Sequence, residues 1–124
     1  MKRVYVHNQE KDYKGTRSTF ALELPDDFLY KIKENIDAPS QEEISINLGL
    51  AICHPTDPYV KSIGREIADG RMDYVWFNAT GLIFKPDRIC ITLDGTDGLY
   101  EYFIRVHVYR DTGNIRIIEC SYNG

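Results

Sequence analysis

The residues best suited to chemistry lie between Asn47 and Met72, where a polar turn joins a strand-like run to a short cationic segment. Lys61 and Arg65 are four positions apart, so in a helix they project from the same side, and Arg71 follows just beyond. The planar fork of arginine matches two phosphate oxygens, and a hydrogen bond to a charged group contributes about 1.5–3 kcal/mol. These three cations predict a phosphate or diphosphate site. The alternative is a solvated face whose cations pair with carboxylates of the same helix.

Aromatic, amide and basic side chains on two β-rich runs supply the other groups that a nucleotide site needs. The ring of Phe77 can stack on a base, and the amide of Asn78 offers a donor and an acceptor to a base edge. Arg105 and His107 share one face of a later run, where a mixed aromatic and basic surface suits a nucleotide. Successive strand positions point to opposite faces, so only one of Trp76 and Phe77 can reach a given pocket. Core packing for Phe77 and an ordinary outer sheet face for Arg105 stay open as alternatives.

Catalytic and metal-binding patterns are weak throughout the chain. Cys53 and His54 are adjacent, so on a strand they point to opposite faces and do not form a nucleophile and base pair. The three histidines lack metal-ligand spacing, and neither GxxxxGK[ST] nor GxGxxG occurs. Three cysteines in apolar runs suggest no disulfide framework. The sequence therefore predicts a protein that is not an enzyme and has no catalytic residue, metal or cofactor.

Length and charge limit the class of protein. A chain of 124 residues with 43% hydrophobic content suits one compact domain over residues 1–124. The net charge of −4 argues against binding of nucleic acid by the whole surface, so an anion site must be local. The start of the chain lacks the pattern of a signal peptide, and no run approaches the roughly 20 apolar residues of a membrane span. We expect a cytoplasmic protein without a membrane segment.

Periodicity and turn residues predict the helices and strands on which these groups lie. Pro25 at a first helical position and apolar residues at helical spacing predict a helix that ends before Pro39. The order of elements predicts an α+β domain, with two helices on an antiparallel sheet of about five to six strands. The β-rich runs are Arg3–His7, Ser18–Leu24, Ile44–Cys53, Tyr74–Phe84, Arg88–Asp94, Tyr100–Tyr109 and Ile115–Tyr122.

The run Ile44–Cys53 is the clearest strand, because large apolar residues alternate strictly with other positions. Its second face carries only small side chains, so another element is expected to pack closely against it. A helix and a partner subunit both fit this requirement.

The second helix is expected to begin with Pro58, after a cap from Thr56 or Asp57. Gly70 suits a left-handed position just past its last turn. Gly64 and Ala68 permit close approach of another backbone or of a flat ligand. The buried stripe of this helix is expected to consist of Val60, Ile63 and Ile67.

The segment from Asn47 to Met72, with its Cys-His-Pro turn and its helix Ile-Gly-Arg-Glu-Ile-Ala-Asp-Gly-Arg, resembles the phage-encoded anti-Thoeris sponge family. The resemblance implies a compact α/β homo-oligomer in the cytoplasm of the host bacterium. It implies sequestration, without cleavage, of a cyclic ADP-ribose immune signal. By the same resemblance, Lys61, Arg65 and Arg71 contact the diphosphate, Phe77 stacks on the base, and Asn78 reads its edge.

Two other functions fit the sequence. A phage inhibitor of a host defence protein can mimic nucleic acid through the acidic stretch of residues 18–73. A single-stranded nucleic-acid binder can use the aromatic and basic sheet face around Arg105, although the acidic balance makes nucleic acid the less favoured partner.

Overall fold

The computed structural model describes residues 2–38 and 43–124, which divide into two compact units. The first unit combines residues 2–25 with 46–74, and the second combines 26–38 and 43–45 with 75–124. Each unit is therefore assembled from separate stretches of the chain. This division does not test the expectation of one domain over residues 1–124, which stays a prediction.

The described residues form seven strands and two helices of ten residues each. The predicted α+β class with five to six strands is therefore wrong, and the described part of the chain is mostly β. The reason is that each β-rich run, including the short first one, satisfies its backbone hydrogen-bonding groups by pairing. The elements are β1 (Arg3–Asn8), β2 (Arg17–Glu23), α1 (Phe28–Asp37), β3 (Ile44–Cys53), α2 (Lys61–Gly70), β4 (Asp73–Phe84), β5 (Arg88–Thr96), β6 (Glu101–Tyr109) and β7 (Ile115–Asn123).

The first unit consists of β1, β2 and β3 in antiparallel pairing, with α2 packed on one face. Small residues make this packing possible: Ala21 on β2, Ala51 on β3 and Ala68 on α2 form a buried cluster. Tyr5 of β1 and Met72 pack against the edge of that cluster. The strand bounds Ile44–Cys53 predicted from alternation are confirmed for β3.

The close approach expected at the small-residue face of β3 is confirmed, and the packing element is α2. A methyl group at Gly49 would meet the backbone carbonyl oxygen of Ala68, and one at Gly64 would meet the hydroxyl of Thr19. Glycine is therefore required at both positions by the distance between the helix and the strands. This contact sets the height of α2 above the sheet.

Other predictions for α2 are wrong. The helix begins at Lys61 and its N-cap residue is Val60, which makes no side-chain capping bond. Gly70 is the last helical residue and lacks a positive φ. The expected buried stripe is partly solvent-exposed, with Ile63 at 53% exposure, whereas Ala68 is fully buried. The helix turns its smallest residues toward the strands, because bulky side chains do not fit in so narrow a gap.

The second unit contains the antiparallel strands β4 to β7 and the helix α1. The strands β4 and β5 form one antiparallel hairpin and β6 and β7 form another, with Gly113 at a positive φ of 71° in the turn of the second. Phe28 and Ile32 of α1 are buried as its apolar pattern predicts, whereas Leu29 and Ile36 of the same pattern are exposed. The helix begins at Phe28 instead of Pro25. Pro39, expected to follow this helix, lies outside the described residues.

Neither α1 nor α2 is long and apolar enough to cross a membrane, and no other helix occurs in the described ranges.

The contact between Gly49 and Ala68 predicts the stability of one variant. Gly49→Ala forces β3 and α2 apart, and overpacking of this kind costs about 1–3 kcal/mol. We expect a lower urea midpoint with an unchanged m-value. The control is Gly70→Ala, because a methyl group there meets open space, and its effect should stay within about 1 kcal/mol. Equal stability of Gly49→Ala and the wild-type protein would contradict the close packing.

Candidate functional site

One flank of α2 lies over β1 and carries charged residues on successive turns. The guanidinium carbon of Arg65 lies 5.9 Å from the ring centroid of Tyr5. Arg65 Nη1 lies 3.5 Å from Nε2 of His7, which is two residues along the same face of β1. One turn further along α2, the carboxylate of Asp69 accepts a hydrogen bond from the hydroxyl of Tyr5, with oxygen–oxygen distances of 2.9 and 3.0 Å. Tyr5 and His7 therefore hold the side chains of this flank in place.

The two ends of this flank differ in charge. At the C-terminal end, Asp69 pairs with Arg3 at 3.1 Å, and Arg3 also pairs with Glu23 at 2.7 Å. At the N-terminal end, neither Lys61 nor Arg65 has a carboxylate within 4.0 Å among residues 2–38 and 43–124. A positive surplus therefore remains there. We call Lys61, Arg65 and His7 the cationic cluster.

Hydrogen bonds hold His7 firmly in this cluster. Its Nδ1 lies 3.0 Å from the hydroxyl of Tyr59, which donates to the backbone carbonyl of Ser18 at 3.2 Å. The hydroxyl of Thr19 lies 2.9 Å from that of Tyr59 and 3.3 Å from His7 Nδ1. Neutral imidazole satisfies all of these groups when Nδ1–H donates to Tyr59 and Nε2 accepts from Arg65. The ring is thus fixed with Nε2 toward the cations.

Burial lowers the pKa of His7 below its ordinary value, and the nearby charges of Arg65 and Lys61 lower it further. Three groups that can each carry a positive charge lie close enough to repel one another. A bound anion relieves this repulsion, and it would raise the pKa of His7.

Arg71, the third predicted cation, does not join the cluster. It follows the C-terminal end of α2, and ten residues at 1.5 Å each separate it from Lys61 by about 15 Å along the helix axis. Its Nη1 donates to the backbone carbonyl of Leu50 at 3.3 Å. The structure therefore brings together Lys61 and Arg65 and gives Arg71 a contact with β3.

The other predicted site residues belong to the second unit. Phe77 is fully buried beside Gly95 and Tyr102, so its ring has no face open to a ligand. The side-chain oxygen of Asn78 accepts a hydrogen bond from Asn35 of α1 at 2.8 Å.

Arg105 is exposed on β6 and forms an ion pair with Glu119 at 3.4 Å. Its guanidinium carbon also lies 5.8 Å from the ring centroid of Phe103. This cation therefore already has a carboxylate partner, unlike those of the cationic cluster.

The opposite flank of α2 borders a groove of about 300 Å³ in the first unit. We call this space the apolar groove. Its polar rim comes from the turn between β3 and α2, where His54 and Asp57 lie. Most of its walls are aliphatic or aromatic, and the principal wall residues are Ile52, Tyr59, Val60, Ile63 and Ile67.

Sequence reasoning missed Tyr5, His7 and Tyr59, which complete the surroundings of Lys61 and Arg65. The available signal was the two-residue spacing of Tyr5 and His7, which puts both on one face of a strand. Within the described residues, no cluster of three or more histidine, cysteine, aspartate or glutamate side chains is arranged to hold a metal ion.

The lowered pKa of His7 predicts how the stability of the protein depends on pH. The unfolded chain takes up a proton near the ordinary pKa of 6.5, before the folded chain does, so stability falls as the pH drops from about 6.5 to the folded pKa. His7→Gln cannot titrate and should lose less unfolding free energy than the wild-type protein between about pH 8 and pH 5.5. Urea titrations at both values measure this. An equal loss of unfolding free energy in both proteins would contradict the lowered pKa of His7.

A second measurement isolates the contribution of Arg65. Arg65→Gln should raise the pKa of His7 in an NMR titration, because one of the neighbouring positive charges is removed. Arg116→Gln is the matched control, since Arg116 is an exposed arginine on β7 in the second unit. If Arg65→Gln left the pKa of His7 unchanged, the side chain of Arg65 would lie too far from His7 to belong to the cationic cluster.

No protein-family model, curated protein or solved structure matches the chain.

Proposed function

We propose that this chain is a non-catalytic binding protein that sequesters a small phosphorylated nucleotide of the cyclic ADP-ribose type. One observation carries the proposal: Lys61 and Arg65 extend from successive turns of α2 beside His7, with no carboxylate within ion-pair distance in the described residues. The proposed setting is the cytoplasm of a bacterium, where a phage-type protein of this kind counteracts a nucleotide-based defence. Assembly into a homo-oligomer is part of the same proposal.

Phosphate is the anion that best fits the cationic cluster. The guanidinium of Arg65 can offer two parallel N–H donors to phosphate oxygens, and Lys61 adds a compact charge one turn away. The ring of Tyr5 below Arg65 limits the motion of that side chain, so less conformational freedom is lost on binding. Because the whole chain carries −4, attraction of an anion depends on this local surplus.

Binding without reaction is favoured by the position of the Thr19 hydroxyl, the aliphatic hydroxyl beside His7. Thr19 lies within hydrogen-bond distance of His7 Nδ1, but its side chain is buried and its hydroxyl is bonded to Tyr59. A buried hydroxyl is poorly placed to attack a ligand held by the cations. Sequestration requires tight ground-state binding and no group that stabilises a transition state.

The proposal is tested by isothermal titration calorimetry with cyclic ADP-ribose. We expect saturable binding to the wild-type protein and at least about tenfold weaker binding to Arg65→Gln, since a charge-assisted hydrogen bond contributes about 1.5–3 kcal/mol. Arg116→Gln is the control and should bind like the wild-type protein. Mass spectrometry of small molecules released by heating protein purified from bacteria tests independently for a bound nucleotide.

Several results would overturn the proposal. These are absence of binding across a panel of cyclic nucleotides, or equal affinities of Arg65→Gln and Arg116→Gln. Binding of a single-stranded oligonucleotide, with affinity that falls steeply as salt rises, would support the nucleic-acid function instead. Capture of one host defence protein without nucleotide binding would support the inhibitor function.

A further inference from the structure

We infer that the apolar groove beside α2 is the subsite for the aromatic base of the ligand. This inference rests on the proposed function and specifies the part of the ligand that is not phosphate. The phosphates would lie at the cationic cluster, and the base would enter the apolar groove around the first turn of α2.

The groove and the cluster are neighbours that both contact Thr19 and Tyr59. Thr19 and Tyr59 line the groove, and their hydroxyls lie 3.3 and 3.0 Å from Nδ1 of His7. At the helix start, Val60 lines the groove and Lys61 follows it directly in the chain. The two subsites are therefore adjacent, which suits a base and phosphates joined by a sugar.

The size of the groove selects a single ring system. Pockets that enclose drug-sized ligands measure about 300–1,000 Å³, and this groove, at about 300 Å³, is at the lower end. A whole dinucleotide does not fit in that volume. Charged phosphates are also disfavoured there, because an apolar lining offers few groups to replace their water. The base is thus the part of a nucleotide that matches the groove, and the phosphates remain outside.

The chemistry of the walls agrees with a flat ring that has a polar edge. Val60, Ile63 and Ile67 leave 41–53% of their surface exposed, although they form the helix side of the groove. A base covering them removes apolar surface from water. His54 and Asp57 at the rim supply hydrogen-bonding groups of the kind that meet base edges.

Calorimetry with two probes, cyclic ADP-ribose and inorganic pyrophosphate, tests this inference. Ile63→Gln changes the groove wall without altering charge, and folding should tolerate it because Ile63 is 53% exposed. We expect at least tenfold weaker binding of cyclic ADP-ribose and less than twofold change for pyrophosphate. Ile83→Gln is the matched control, since Ile83 on β4 is a 60% exposed isoleucine in the second unit. Both probes should bind Ile83→Gln as they bind the wild-type protein.

The outcomes separate this inference from the proposed function. One outcome is that Arg65→Gln weakens the binding of both probes, while Ile63→Gln and Ile83→Gln bind cyclic ADP-ribose with equal affinity. The base subsite is then wrong and the phosphate site stands. If the wild-type protein binds neither probe, both proposals fail. If Ile63→Gln lowers the oligomeric mass in sedimentation and leaves affinity unchanged, the groove contacts a second copy of the chain, and the base subsite is again overturned.

Discussion

The first unit depends on one steric constraint, the close approach of α2 to β2 and β3. Gly49 faces the backbone of Ala68, and Gly64 faces the hydroxyl of Thr19. Any larger residue at these positions would push the helix away from the strands. Because both glycine contacts and Ala68 must face the sheet together, they also determine the rotation of α2 about its own axis.

This rotation decides what the two flanks of α2 present. It turns Lys61 and Arg65 toward Tyr5 and His7 of β1, and it turns the aliphatic side chains of the helix toward the end of β3. The aliphatic flank would be more fully covered if the helix rolled toward the sheet, but the glycine contacts leave no room for larger residues there. The cationic cluster and the apolar groove are therefore two results of the same packing.

In the second unit, Phe77 and Asn78, which were predicted to contact the base of a nucleotide, instead stabilise the structure. The bulge between Ala79 and Gly81 interrupts the pairing of β4 with β5. The fully buried Asn35 accepts from the backbone N–H of Ala79 at 2.7 Å and donates to Asn78 at 2.8 Å. A buried amide with satisfied hydrogen bonds fixes such an irregularity. The side chain of Asn78 belongs to this hydrogen-bonded network, and the ring of Phe77 is fully buried in the core of the unit.

Features with local causes can be read from the amino-acid order alone. Strict alternation sets the bounds of β3, and Gly113, with its freedom to adopt a positive φ, marks the last hairpin. The small residues on one face of β3 also predict that another element packs closely against that face. These features depend on neighbouring residues in the chain, so no knowledge of the fold is needed to read them.

Packing between elements that are distant in the chain is set by the folded protein as a whole. Periodicity finds the apolar stripe Val60, Ile63 and Ile67 but not the neighbour that must cover it, and here the narrow gap selects the small residues instead. The contact between His7 and Arg65 joins residues 58 positions apart. Their meeting is produced by strand pairing and helix packing, which is why a local pattern identified the cations but not the histidine beside them.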